Sequence, residues 1–334
     1  MNRRQWLARA GSAAGAAAGV TIFGGTMGRV ALAAAPYPSR PIRLIVPFIA
    51  GTSPDSIART ISAELAPVLG QPLVVENIGG AGGIIGARAL KRAEPDGYTL
   101  GVLANQHVIN VHLYKEPPYD AAKDFVAITA LSGSAVVLAV PASSPIKTAR
   151  DLIDAMKQRP GAMNYGSGGK GSVSHLAVES LLHQTHTKAV HIPYKGASEI
   201  LTAMLSGQTQ FGMPVLSTAA PFLRNGQIRP LAVSSAARSV YFPDVPTLAE
   251  ALPPGFVLDN WSGLFAPAGL PTPIAKRLFD AVARLQASGK LDATMKANAG
   301  EIRKSDSPAQ FTQMVAADDA RYGKLIGEIG MRGE

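Results

Sequence analysis

The chain has 334 residues, 47% of them hydrophobic, no cysteine and a formal net charge of +9. The lack of cysteine excludes disulfides, thiolate chemistry and a lipid-anchoring cysteine, so stability has to come from an apolar core. The basic excess contains no Lys/Arg block and no interleaved aromatics, which argues against nucleic acid as a partner and fits attraction of small anions.

The first 35 residues read as an export leader. Arg3 and Arg4 precede Trp6 and Leu7, a Gly/Ala-rich apolar run follows from Ala10 to Phe23, and Ala31, Leu32 and Ala33 stand at the spacing of a signal-peptidase site. The arginine pair resembles a twin-arginine signal, and Gly11, Gly15, Gly19, Gly24 and Gly25 make the run a poor membrane anchor. Cleavage after Ala33 or Ala35 and a periplasmic mature protein without a lipid anchor are expected. Four of the basic residues lie in this leader and no acid does, which leaves +5 for the rest.

The most informative stretch comes next. An apolar β-branched strand at 42–46 empties into a small-residue loop, Phe48 to Thr52, and a helix is expected from Asp55 with Ile57, Ile61, Leu65 and Val68 on its buried face. The first N–H groups of a helix have no partner within it and carry partial positive charge. Ala50, Gly51 and Thr52 are small enough for a carboxylate or phosphate to approach that end, and Asp55 can cap it or hold an ordered water there. A strand at 73–76, the turn Gly80-Ala81-Gly82-Gly83, a helix near 83–92 and a strand at 98–103 follow.

A second series runs through a strand at 136–140, a helix near 149–157, a strand at 163–165 and a helix from Ser172. Strands at 189–192 and 231–233, a turn at 243–246 before a short helix, and a strand at 261–265 complete it. The tail is helical, with Ile274, Leu278, Val282 and Leu285 on one face, and Ser307-Pro308 capping a last helix. This alternation predicts an α/β protein with mostly parallel sheets, the tail packing back on the first lobe.

The second series repeats the strand-loop-helix device at Gly166-Ser167-Gly168-Gly169-Lys170-Gly171-Ser172, with His175 one turn into the helix. Gly166, Gly168 and Gly171 spell a dinucleotide fingerprint, but His191-Ile192-Pro193-Tyr194 ends the next strand where an acid for the ribose is required. A phosphate loop needs Lys followed by Ser or Thr, and Lys170 is followed by Gly171. An anion seat, with glycines freeing backbone N–H groups and Ser167 and Ser172 offering hydroxyls, asks for nothing that is missing. A histidine at the place of His175 is more often a packed or capping residue than a ligand contact. There is no nucleophile elbow, no zinc-protease motif and no acid/base pair of carboxylates, and His183, His186 and His191 read as a solvated helix end rather than a metal site. No catalytic residue, metal or cofactor is expected.

Short pieces in fixed order then carry a resemblance along nearly the whole mature chain. They are Tyr37-Pro38-Ser39-Arg40-Pro41-Ile42, Val46-Pro47-Phe48 with Gly51, Asp55, Ala58 and Arg59, Val75-Glu76-Asn77 with Gly80-Ala81-Gly82-Gly83, and Pro95-Asp96-Gly97-Tyr98-Thr99-Leu100. Asp124-Phe125, Gly171-Ser172, His175-Leu176, His191 to Gly196, Leu231-Ala232-Val233 and Pro243 to Thr247 continue it. The chain resembles the Bug-type extracytoplasmic solute receptors of tripartite tricarboxylate transporters.

The resemblance implies a two-lobed periplasmic binding protein of type II, a Venus flytrap with its cleft between lobes at 37–135 plus 261–334 and at 136–260. It implies a monomeric receptor that closes on a small carboxylate and delivers it to a membrane permease. It places the ligand between Phe48, Ala50, Gly51, Thr52 and Asp55 on one side and Ser167, Gly168, Gly171, Ser172 and His175 on the other. Gly80, Ala81 and Gly82 would wall the first lobe, and Tyr194, Lys195 and Gly196 the second. Gly51-Thr52 stands where the family usually has Gly-Gly, and Ile78-Gly79 where it has Arg-Pro, so the ligand itself stays open. An orphan receptor for a signalling partner, or an exported hydrolase or dehydrogenase, are the alternatives.

Overall fold

The computed structural model describes residues 37–297 and 299–331, so the expected leader lies outside the described residues. β1 (Ile42–Val46) is buried at all but Arg43, as an apolar strand covered on both faces must be. It is followed by α1 (Ser53–Leu69), β2 (Leu73–Asn77), a 3-10 turn at Ala81–Gly83, α2 (Ile84–Lys91), β3 (Thr99–Ala104) and α3 (Gln106–Leu113). β4 (Phe125–Ala135) passes almost directly into β5 (Val137–Pro141). Then come α4 (Ala149–Gln158), β6 (Asn164–Ser167), α5 (Val173–Thr185), β7 (Val190–Pro193), α6 (Ala197–Leu205), β8 (Phe211–Gly212), α7 (Leu216–Arg224), β9 (Ile228–Val233) and α8 (Leu248–Ala251). β10 (Asp259–Pro267), α9 (Thr272–Ala287), α10 (Asp292–Ala297), β11 (Glu301–Ile302) and α11 (Pro308–Glu328) end the chain.

The strands form a six-stranded sheet, ordered β11-β4-β10-β3-β1-β2, and a five-stranded sheet, ordered β7-β6-β8-β5-β9. Each has a parallel core, β1 between β2 and β3 in one and β6 between β7 and β8 in the other. The expectation of mostly parallel sheets is corrected: β10 runs against β3 and β4, β11 against β4, and β5 against β8 and β9. The chain crosses between sheets through β4 to β5 and through β9 to β10. A strand arriving from its neighbours' carboxyl ends, with no crossover helix to carry it back, has to run antiparallel to them.

The sequence pattern also missed β4, β8, β11, α3, α6 and α7. β4 ends in Ser132-Gly133-Ser134, which reads as a loop, yet it is paired along its length with β10, and the Ser132 and Ser262 hydroxyls meet across the pair at 2.7 Å. Val68 is 48% exposed instead of buried, and Leu69 takes its place in the core. Ile57, Ile61 and Leu65 of α1 pack with Leu278 and Val282 of α9 over β1 and β3, each such buried side chain contributing about 1.5–3 kcal/mol. α11 packs on β4 and α3, where Trp261 Nε1 donates to Asp318 and Asn105 Nδ2 donates to Tyr322 Oη.

Candidate functional site

The parallel core of each sheet sends its loops to one edge, the carboxyl ends of β1, β2 and β3 in one sheet and of β6, β7 and β8 in the other. In open α/β sheets that edge is where ligands bind. The candidate ligand contacts read from the sequence lie on these loops, at the end of β6 or on the helices the loops launch.

α1 begins at Ser53, two residues before the expected Asp55, because Pro54 suits a first turn, where a missing N–H costs no hydrogen bond. Thr52 is its N-cap residue but caps nothing with its side chain, since Oγ1 donates to the Ile49 carbonyl at 2.9 Å. Asp55 is only 3% exposed and takes the Gly51 N–H at 2.8 Å and Asn77 Nδ2 at 2.9 Å. Arg59 donates to the same carboxylate at 3.1 Å and pairs with Asn77 Oδ1 at 2.9 Å. Burial opposes ionisation of Asp55, but the bonds from Arg59, Gly51 and Asn77 outweigh it and hold the carboxyl below its usual range. The Gly51 amide is therefore already occupied. Among the described residues, none accepts from the amides of Ser53 or Asp55.

The next loop lies against this one. Gly80, Ala81, Gly82 and Gly83 all have positive φ, of 120°, 47°, 63° and 92°. A Cβ on Gly83 would come within 3.3 Å of the Pro47 carbonyl, and one on Gly79 within 3.5 Å of the Ile49 amide, so the two loops make one surface with Phe48 between them.

In the second sheet the glycine loop is bound up in its own side chains. Gly168 N–H donates to Ser174 Oγ at 2.9 Å, Gly169 N–H to Ser167 Oγ at 3.1 Å and Gly171 N–H to His175 Nδ1 at 3.0 Å. The expectation that the glycines free these amides is corrected: the hydroxyls and imidazole nearest to them supply acceptors. Ser172 is the N-cap of α5, its Oγ accepting from His175 N–H at 3.3 Å, and Ser167 is fully buried. The amides that α5 itself leaves without an acceptor among the described residues are those of Val173 and Ser174.

His175 is buried behind the loop and stacks on His191 with ring centroids 3.9 Å apart. Burial, with like charge from His191 and Lys170, pushes its pKa down to about 3, so the ring is neutral and Nδ1 is free to accept. His191 Nε2 meets Ser167 Oγ, and burial lowers its pKa as well. Tyr165 stacks on His191 and donates to Glu179, whose carboxylate lies 3.8 Å from His175 Nε2. Tyr194 N–H donates to the Ser167 carbonyl at 2.8 Å, which holds the β7 loop beside the glycine loop. Lys195 is exposed, its N–H bound to Glu199, and Gly196 lies 3.7 Å from where a Gly168 Cβ would be.

Sequence reasoning missed the element that joins the two groups of loops. α3 leaves β3, and its Gln106 Nε2 donates to the Gly171 carbonyl at 2.9 Å while Asn110 Nδ2 donates to the Gly82 carbonyl at 3.0 Å. The available signal was a third strand-to-helix passage at Ala104-Asn105-Gln106. On the first sheet's side, Phe48, Gly82, Gln106 and Asn110 border a small pocket of about 10 Å³. A cavity of about 250 Å³ lies instead at the strand crossings, lined by residues such as Ser134, Arg238, Asp259 and Arg303. Among the described residues no group of three His, Asp or Glu side chains is placed to hold a metal ion, and His183 and His186 are exposed.

Residues 57–331 match the family model described as the tripartite tricarboxylate transporter family receptor. The protein BugT of Bordetella pertussis is 32% identical over 94% of this chain and 97% of its own. An R. palustris protein solved with adipate superposes with a TM-score of 0.82 at 32% identity, covering 88% of this chain and 98% of that one. MatC from Rhodopseudomonas palustris with bound malate gives 0.80 at 31% identity, covering 87% and 100%.

Proposed function

The chain belongs to the tripartite tricarboxylate transporter receptor family, and from that premise we propose that it captures a small carboxylate-bearing metabolite between its two lobes and hands it to a membrane permease. Its family and its solved neighbours are binding proteins of the two-lobed periplasmic type rather than enzymes. Among the described residues no helix is long and apolar enough to cross a membrane. In this reading the lobes follow the sheets, 37–135 with 261–334 and 136–260, and the leader takes the chain to the periplasm. The carboxylate sits between the N-terminal ends of α1 and α5, with the Gly80–Gly82 turn and Tyr194 to Gly196 as walls.

The observation that carries this reading is the pair of helix ends, each on a loop at the carboxyl edge of a parallel core, in a chain whose neighbours were solved with adipate and malate. Binding needs no bond-making. A ligand touching both lobes makes more contacts in the closed form than in the open one, so it shifts the population toward closure. The mature protein is to be screened by thermal shift against small carboxylates, since a ligand of the native state alone raises apparent stability. A shift in wild type that is weakened in both Asp55→Ala and Ser172→Ala, each still folded, is expected. Unchanged affinity in both variants removes this site.

A further inference from the structure

We propose that Gln106 is a clasp between the lobes, a positioning residue that holds the glycine loop of the second sheet against the first whether or not ligand is present. Gln106 opens α3, which grows from β3 of the six-stranded sheet, whereas Gly171 belongs to the loop after β6 of the five-stranded sheet. One amide group serves both sides: Gln106 Nε2 donates to the Gly171 carbonyl at 2.9 Å and to Asn110 Oδ1 at 2.8 Å. Asn110 then turns its own Nδ2 to the Gly82 carbonyl at 3.0 Å, so the pair ties the first lobe's glycine turn to the second lobe's loop. Positions 106, 110 and 113 share one helix face. The third of them packs so closely that a Cβ on Gly171 would lie 2.0 Å from Leu113 Cδ1.

Gly171 is thus gripped from both lobes, its N–H by His175 and its carbonyl by Gln106. A contact across a hinge that does not involve ligand sets how much of the free protein is already closed. Apparent affinity scales with that fraction. Gln106 therefore raises affinity without touching the carboxylate.

This rests on the hinged-receptor reading, but its first test needs no ligand. Small-angle X-ray scattering of the free mature protein is compared for wild type, Gln106→Leu, which keeps the bulk and loses both donors, and Gln106→Glu, which sets a carboxylate against two oxygens. Both variants are expected to keep the wild-type circular dichroism and to show a larger radius of gyration, Gln106→Glu the more. Calorimetric titration with adipate is expected to give about threefold to tenfold weaker binding in Gln106→Leu, the net worth of one hydrogen bond. Scattering curves that coincide with wild type in both folded variants overturn the clasp. If wild type binds none of the small carboxylates in the thermal-shift screen, the ligand class of the receptor reading fails while the scattering comparison still decides the clasp.

Discussion

After β1 the Gly51 amide is held by a carboxylate, Asp55, itself held by Arg59 and Asn77. After β6 the amides of Gly168, Gly169 and Gly171 are held by two serine hydroxyls and a neutral imidazole. The first loop is exposed at Ile49, Ala50 and Gly51, and the second is buried at Ser167, Gly171 and His175. Both loops satisfy glycine amides from within, but with opposite electrostatics. An ionised Asp55 repels a ligand carboxylate brought against α1, while neutral acceptors behind α5 do not. Under the proposed function the α5 end is therefore the direct seat, and the α1 end holds the anion at one remove, through water.

The same substitution in both loops separates them most. Gly171→Ala meets a positive φ of 77° and a confined Leu113, whereas Gly51→Ala meets a positive φ of 83° with no other atom within 4 Å. Strain alone costs roughly 1–2 kcal/mol, and the added clash brings Gly171→Ala to about 3 kcal/mol, read from urea denaturation. Equal losses would erase the distinction between a packed and an open loop. Asp55→Ala comes next. It strands the Gly51 amide and Asn77, and because Arg59 is 54% exposed the ion pair adds little, for a loss of about 2 kcal/mol.

These elements also mark what was legible beforehand. The strand-loop-helix devices at Phe48 to Asp55 and Gly166 to His175 could be read because strand apolarity, small residues and cap residues are local signals. The use made of their amides could not, because whether Asp55 turns to Gly51 or His175 to Gly171 depends on side-chain direction and burial. α3 was invisible for a related reason: Gln106, His107, Asn110 and His112 look like a polar loop. They are helical because His107 is buried against Tyr119 and Phe125 while Gln106 and Asn110 bond to carbonyls from elsewhere in the chain. The antiparallel strands follow from the two crossings between sheets, which no periodicity reports.

Acid is the next probe of the contrast. The folded pKa of His175 is about 3 and that of His107 about 4, both lowered chiefly by burial, against an unfolded value near 6.5. A depressed histidine gives stability that is present above the unfolded pKa and lost as pH falls toward the folded one. From pH 6.5 to 5 His175 alone costs on the order of 2 kcal/mol. Asp55, with its carboxyl pKa lowered, keeps its contribution until pH falls into the ordinary carboxylate range and loses it below. The urea midpoint should thus drop between pH 7 and 5 through the imidazoles of the described residues and not through Asp55. His175→Gln, which retains an acceptor for Gly171 but cannot titrate, should drop less, and an unchanged drop would remove His175 from the cause.

The smallest effect compares the caps. Ser172 accepts from His175 N–H and so satisfies one orphan donor of α5, while Thr52, at the same position of α1, spends its hydroxyl as a donor to Ile49. Losing a capping side chain costs about 1 kcal/mol. Ser172→Ala should therefore lower stability by about that much, and Thr52→Ala by less, because it removes a bond from an exposed loop and leaves the helix donors as they were. Ser172 also contacts Ser174 Oγ at 3.0 Å, and Ser174 Oγ is the acceptor for Gly168 N–H. The alanine thus loosens the loop as well as the cap, so Ser172→Ala should weaken carboxylate binding more than its stability loss accounts for, with Thr52→Ala as the internal control. Matching stability losses in the two alanine variants would mean that the α5 end is no better capped than the α1 end, and the inequality of the two seats would go with it.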